Sequence, residues 1–417
     1  MKFINRKMST MTEDIVWQVG CSIINRVSFF VALLLLSSYM SATNYGVFGL
    51  IYNISLSISS VLSCGLGIVT RRELVGKYNT KQQTILSSNI IIIIALNCLC
   101  TGIISIYHMN TNNIDLNSIV FFVLLFLLSI NASISHYLNY HYSGLTLYKE
   151  YNKILLPINV ILPISLLVIQ PSLVPTAVLV ISIVVLIGNL WQIAYLNGFT
   201  RNLDFGFQKD KHTQFFPCFL QALLGLPVYV ILQMIIVERW NDISLIGLIL
   251  IATQILNMCN IFATKSLTVF SVSITKALNT HHGIVPIILF LKYFMAYIAI
   301  IVSVHLVIWI ALPLIISSLK NNLLNAIYDL RYFVVVNIII STSWFFVEYL
   351  HAIKKSWVSF MANTASSVGI FLIFFIAYYQ SSTFSLVNYA NCLAFARIIP
   401  ILICGYYIIK SSRKLLS

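Results

Sequence analysis

Acidic side chains are scarce in this chain: 11 Asp and Glu stand against 25 Lys and Arg in 417 residues. Charged residues of both signs reach only 9%, where a soluble domain carries about 25%. That deficit excludes an ordinary soluble globular protein. No acidic residue falls at the middle of an apolar run. The connections on one side of the expected membrane offer only Asp115, Asp242 and Asp329, widely separated, so acid–base chemistry on a sugar has no candidate pair. All eight cysteines lie inside apolar runs, and Cys98 and Cys100, two apart, point away from each other on a helix. Neither a disulfide framework nor a zinc site is expected, and the cysteines read as small apolar fillers. No metal or cofactor is expected. A filter-like loop is missing too, which ranks an ion channel last. The first apolar run is too long for a signal peptide and lacks a small-residue cleavage site.

Hydrophobic length is what the chain has instead: 59% of residues are hydrophobic and the mean hydropathy is +0.93. The pattern predicts twelve spans, at Ile15–Ser38, Tyr45–Thr70, Thr84–Tyr107, Ser118–Tyr140, Ile154–Ile169, Leu173–Leu196, Phe215–Val237, Ile243–Thr264, Tyr293–Leu319, Tyr332–Leu350, Trp357–Tyr379 and Phe384–Ile409. The expected fold class is all-α integral membrane, about 12 transmembrane helices in two six-helix bundles. Residues 1–200 would form one bundle and 215–417 the other, joined by the polar linker 201–214. Such a plan suggests internal duplication, common among secondary transporters, with Gly49-Leu50-Ile51 and Gly247-Leu248-Ile249 opening corresponding helices. Prolines at 157, 163, 217, 227, 286, 313 and 400 lie in or at the ends of spans and each is expected to kink its helix. Ile90–Ile94 reads as plain lipid-facing surface.

Counting Lys and Arg in alternate connections orients the chain. One set, which includes both termini, holds 19, whereas the other holds only Arg239, Lys320 and Arg331. By the positive-inside rule both termini are expected in the cytoplasm. The same asymmetry accounts for most of the net charge of +14, so nucleic-acid binding is unnecessary. No connection has room for a soluble domain, and any function resides among the helices.

The first span carries an arginine. Its 24 residues match a bilayer core of roughly 30 Å, and Gln18, Ser22, Asn25 and Arg26 share one face. An arginine at that depth costs about 2.5–3.5 kcal/mol on the lenient scale, so it seldom faces lipid. Two readings stand: a cation packed against helix carbonyls, or the lining of a polar cavity for an anionic ligand, which is preferred. Further polar stripes run through Asn53, Ser57, Ser60 and Cys64; through Gln214, Gln221, Gly225, Tyr229 and Gln233; and through Thr253, Asn257, Asn260 and Thr264. Such stripes turn toward other helices or water. Arg397 lies within the last span and Lys292 at the lip of the ninth, so a shared cavity would be cationic. The expected binding residues are Arg26, Asn25, Ser22, Gln18, Asn53, Gln221, Gln233, Asn257, Arg397 and Lys292. His136, His141 and His305 are read as packing, with proton relay as the alternative.

Together with Asn44-Tyr45-Gly46-Val47-Phe48-Gly49, the run Gly65–Leu74 (GLGIVTRREL) and Glu238-Arg239 followed by Ile246-Gly247-Leu248, this pattern resembles a known family. It is similar to the polysaccharide transporter branch of the multidrug/oligosaccharidyl-lipid/polysaccharide (MOP) exporter superfamily, the O-antigen flippases above all. A Glu stands where that family commonly has Asp, and the final helices match only in hydropathy. The resemblance implies translocation of an undecaprenyl-pyrophosphate-linked oligosaccharide across the bacterial inner membrane by alternating access, with Arg26 at the headgroup. It implies membrane lipid and other O-antigen assembly proteins as partners. A multidrug antiporter would need mid-span carboxylates and ranks second; an O-antigen polymerase would need a long outer loop or paired acids.

Overall fold

A computed structural model describes residues 2–74, 81–111, 117–145, 147–196, 220, 224, 226–240, 242–280, 287–318, 326–352, 356–380 and 383–413. Among these residues there are twelve α-helices and no strands. They are α1 (Lys2–Tyr39), α2 (Ala42–Leu74), α3 (Lys81–Thr111), α4 (Ser118–Gly144), α5 (Tyr148–Ile169), α6 (Val174–Tyr195), α7 (Leu226–Trp240), α8 (Ser244–Thr280), α9 (Ile287–Ser318), α10 (Ile327–Ala352), α11 (Ser356–Gln380) and α12 (Leu386–Arg413). Helices are the expected outcome, because hydrocarbon offers backbone N–H and C=O groups no partner but one another. Eleven of the twelve are long and apolar enough to cross a membrane. The exception is α7, whose predicted span starts outside the described residues, as does the whole predicted linker 201–214.

Several helices overrun their apolar cores. α1 begins at Lys2 rather than Ile15, and α8 continues to Thr280 rather than Thr264. Hydropathy marks where lipid ends, whereas the helix ladder propagates on into polar sequence at little cost per residue. Pro157 and Pro163 sit inside α5, Pro313 inside α9 and Pro400 inside α12, each within one continuous helix. The predicted tight turn after α5 is present: Gln170 takes a left-handed φ of 49°, and its N–H bonds to the Leu166 carbonyl at 2.9 Å. Pro171 then bars further helix.

The isoleucine run departs from expectation. Ile91 and Ile94 are exposed, but Ile90 (2%) and Ile93 (0%) belong to a buried core with Tyr137 and Leu138. Consecutive residues step about 100° around a helix, so five in a row cannot share one face.

The chain divides into two compact units, Met1–Gly247 and Leu248–Ser417. In the first, α4 packs against α2, α3 and α6, while α1 lies along α5. Buried amides tie these helices together. Asn89 Nδ2 donates to Thr70 Oγ1 and Tyr137 Oη, both at 2.9 Å. Asn97 Nδ2 donates to Ser133 Oγ at 3.1 Å. Asn131 Nδ2 reaches the Ser182 carbonyl at 3.3 Å, and Asn189 Nδ2 reaches the Asn131 carbonyl at 3.0 Å while its Oδ1 accepts from Ser135. In the second unit the core is aromatic, with Phe290 set edge-on to Tyr349 at 4.7 Å and packed on Phe345 and Phe346.

The start of α2 comes very close to the α7–α8 turn within the first unit. A Cβ on Gly46 would fall on the Ile243 carbonyl oxygen, and one on Gly49 would lie 3.3 Å from the Ile246 carbonyl and 3.6 Å from Gly247 Cα. Backbone meets backbone here, which only glycine permits.

Candidate functional site

Arg26 stands two-thirds of the way along α1, and its side chain is exposed rather than packed away. Its electrostatic neighbour is Tyr52 of α2. Tyr52 is fixed by stacking on Phe29 of α1 at 5.4 Å and on Phe48 at 6.0 Å. Among the described residues the guanidinium donates no hydrogen bond, so its five donors are not consumed by helix carbonyls. Beside it Asn25 is half-buried, with an Oδ1 that has no partner among the described residues, and Ser22 is half-buried. The Gln18 side chain lies outside the described residues.

α2 presents a narrow open face. Tyr52, Asn53, Leu56 and Ser60 are half-buried, whereas Ile51, Ile54, Ser55, Ser57, Ile58 and Ser59 are buried. Asn53 and Ser60 therefore share the open face, Ser57 turns into the packing, and the Cys64 side chain is outside the described residues. Asn53 Nδ2 donates to Gln233 Oε1 of α7 at 3.0 Å, which joins two of the predicted polar stripes. Gln233 itself is only 4% exposed. Gln214, Gln221 and Gly225 lie outside the described residues. The first unit thus brings Arg26, Tyr52, Asn53 and Gln233 onto α1, α2 and α7.

In the second unit Asn257 is half-buried and donates to Gln254 Oε1 at 3.3 Å. Lys292 is exposed near the start of α9, and Arg397 is half-buried on α12. Asn391 accepts from the Tyr332 hydroxyl at 2.6 Å. Among the described residues, no group of three or more His, Cys, Asp or Glu could hold a metal ion. One participant, Tyr52, is missed in sequence, and His136 is read there as packing, with proton relay as the alternative. Tyr52 neighbours Asn53 on the predicted stripe, and an aromatic there was a usable signal. His136 is exposed on α4 with Nδ1 3.1 Å from Ser59 Oγ of α2, a pairing across 77 residues that no local pattern announces.

The Asn53–Gln233 bond gives a direct test. Asn53→Ala and Gln233→Ala should each destabilise the protein, and the double variant should cost less than the sum. The expected coupling is about 0.6–1.7 kcal/mol, the range for amide bonds inside membrane proteins. Thermal unfolding in detergent measures it; strict additivity would show that the two amides do not meet.

Neither a scan against protein-family models nor a search of curated proteins finds a match. Solved structures do match. An inward-facing multidrug resistance MATE family transporter of the MOP superfamily aligns with a TM-score of 0.68 at 12% identity, over 95% of this chain and 98% of that one. An outward-facing MATE family transporter gives 0.59 at 13% identity, over 97% of each chain. A MOP superfamily transporter from Pyrococcus furiosus, described as having a binding pocket of reverse polarity that suggests a different function, gives 0.55 at 12% identity, over 96% of this chain and 95% of that one. Identity at this level speaks to fold. The chain is a multi-pass membrane protein whose fold is similar to that of MATE family transporters.

Proposed function

We propose that this protein is a flippase that carries an undecaprenyl-pyrophosphate-linked oligosaccharide, an O-antigen repeat unit, from the cytoplasmic to the periplasmic leaflet of the bacterial inner membrane. Both termini lie in the cytoplasm in this reading. The observation that carries it is the exposed Arg26 guanidinium inside a span, beside Tyr52 and spent on no described acceptor. A guanidinium presents a planar fork that fits phosphate oxygens bidentately. Attraction between unit charges 4 Å apart, at an effective dielectric near 20, is about 4 kcal/mol, enough to offset the cost of placing the arginine there. Asn53, on the open face of α2 and held by the buried Gln233, supplies an amide suited to sugar hydroxyls, and the lipid tail stays in the bilayer.

Export of cationic drugs is the second reading. It calls for carboxylates within the spans, and the charges at that depth are Arg26 and Arg397, while Glu238 and Glu348 stand near helix ends. The Pyrococcus transporter, described as having a pocket of reverse polarity that suggests a different function, shows that neighbours in this fold need not share one function.

Deletion of the gene is the deciding experiment. Lipid-linked repeat units should accumulate, and a leaflet-specific probe should find them on the cytoplasmic side. Accumulation on the outer leaflet would point to a polymerase and overturn the flippase reading.

A further inference from the structure

The second unit holds a buried polar network that the cargo reading does not use. Asn260 of α8 (5% exposed), His305 of α9 (1%), and Asn337 and Ser341 of α10 (both 0%) converge within it. His305 Nδ1 lies 2.8 Å from the Ile301 carbonyl, which can only accept, so Nδ1 carries the ring hydrogen. Asn337 Nδ2 sits 2.8 Å from His305 Nε2, which must then be the accepting nitrogen of a neutral ring. The same Nδ2 makes a long contact of 3.4 Å to Asn260 Oδ1, which Ser341 Oγ also supplies at 2.7 Å. One buried atom is left over: Asn337 Oδ1 has no donor among the described residues.

That leftover oxygen is what a proton would satisfy. If a proton binds at His305 Nε2, the ring becomes a donor at both nitrogens. A half-turn of the Asn337 amide then brings Oδ1 to Nε2–H and forms a charge-assisted hydrogen bond. The turn exchanges the Nδ2 donation to Nε2 for the new bond and gives up the 3.4 Å contact to Asn260, whose Oδ1 keeps the Ser341 hydroxyl. The amide NH2 moves to the position Oδ1 held, so the charge-assisted bond must outweigh its lost partners. The two amide orientations thus correspond to two protonation states of the ring.

We propose that His305, with Asn337 as its switching partner, is a proton-binding site in the membrane interior of this protein. It rests on the transporter reading only for its purpose, since a proton-driven cycle needs a site that loads and unloads within the bilayer. The surroundings are sparse in charge. α8 and α9 contain no carboxylate, and those of α10, Asp329 and Glu348, stand near its two ends. Tyr297 on α9 donates to the Ser341 carbonyl at 2.8 Å, and Cys259 of α8 adjoins Asn260. Of the cations on these helices, Arg331 of α10 is held elsewhere: its Nε donates to the Trp309 carbonyl at 3.1 Å and its guanidinium lies 4.0 Å from the Trp309 ring. α8 carries Lys265 and Lys276 beyond Asn260, and α9 carries Lys292 near its start.

The test is a pH titration of the full chain in lipid nanodiscs, labelled with ¹⁵N-histidine and followed by NMR, with His305 assigned by its loss in His305→Gln. The Nε2 resonance should move from the accepting to the protonated position between pH 8 and 5. In Asn337→Ala the ratio of protonated to neutral ring at a given pH should fall at least tenfold. An Nε2 that stays unprotonated to pH 5 in the wild-type chain overturns the proposal, and that titration decides even if the Asn337 variant does not fold. So does a ratio that Asn337→Ala leaves unchanged. Since the proton is the only ligand used, the outcome is independent of whether the cargo is a lipid-linked glycan.

Discussion

Arg26→Ala reduces glycan export to below about one hundredth of wild type while the protein accumulates normally in the membrane. The basis is the roughly 4 kcal/mol attraction between a guanidinium and a phosphate about 4 Å apart at an effective dielectric near 20, where each 1.4 kcal/mol is tenfold. Arg26→Lys keeps a fraction of the activity, because an ammonium preserves the charge but loses the two-pronged geometry. The measurement is surface glycan in a deletion strain complemented with each variant, alongside immunoblots of membrane fractions. Equal loss of protein in both variants would assign Arg26 to packing. Its exposed side chain, with no described hydrogen bond to hold it, argues for the opposite result.

Gly46→Val produces a large loss of stability, the largest expected among the described glycines. Overpacking ordinarily costs about 1–3 kcal/mol, and the obstacle here is the Ile243 backbone carbonyl, which cannot swing aside as a side chain would. A penalty at or above the top of that range is expected, against a gain of up to about 1 kcal/mol from replacing a helical glycine. Gly49→Ala is the contrasting case. Its added Cβ would sit 3.3 Å from the Ile246 carbonyl, where a few tenths of an ångström of movement suffices, so a small effect of either sign follows. Fluorescence-detected size-exclusion after heating separates the two. If Gly46→Val melts with the wild-type protein, the close approach of α2 to Ile243 is not present in the membrane.

The helical architecture was legible because hydrocarbon length and the shortage of charge are properties of the sequence itself. Helix ends were less so: nothing in hydropathy tells α1 to begin at Lys2 or α8 to run on to Thr280. Arg26 stood out by sign and depth, yet Tyr52 owes its place to the packing of α2 on α1, and His136 to a contact across 77 residues. The polar stripes were half informative. Asn53 occupies the open face of α2, but Ser57, at the same helical spacing, is buried: spacing places residues on one side of a helix, and the neighbouring helices decide how much of that side is covered. His305, read from sequence as packing, lies in a network assembled from three helices.

The amides threaded between α3, α4 and α6 act as keys cut to a single register. Sliding α4 by one residue, about 1.5 Å, would pull Asn97 from Ser133, Asn131 from Ser182 and Asn189 from Ser135 together, with no water at hand to take their place. These three helices can tilt or travel only as a block, so deuterium should enter their backbone amides last and at one common rate.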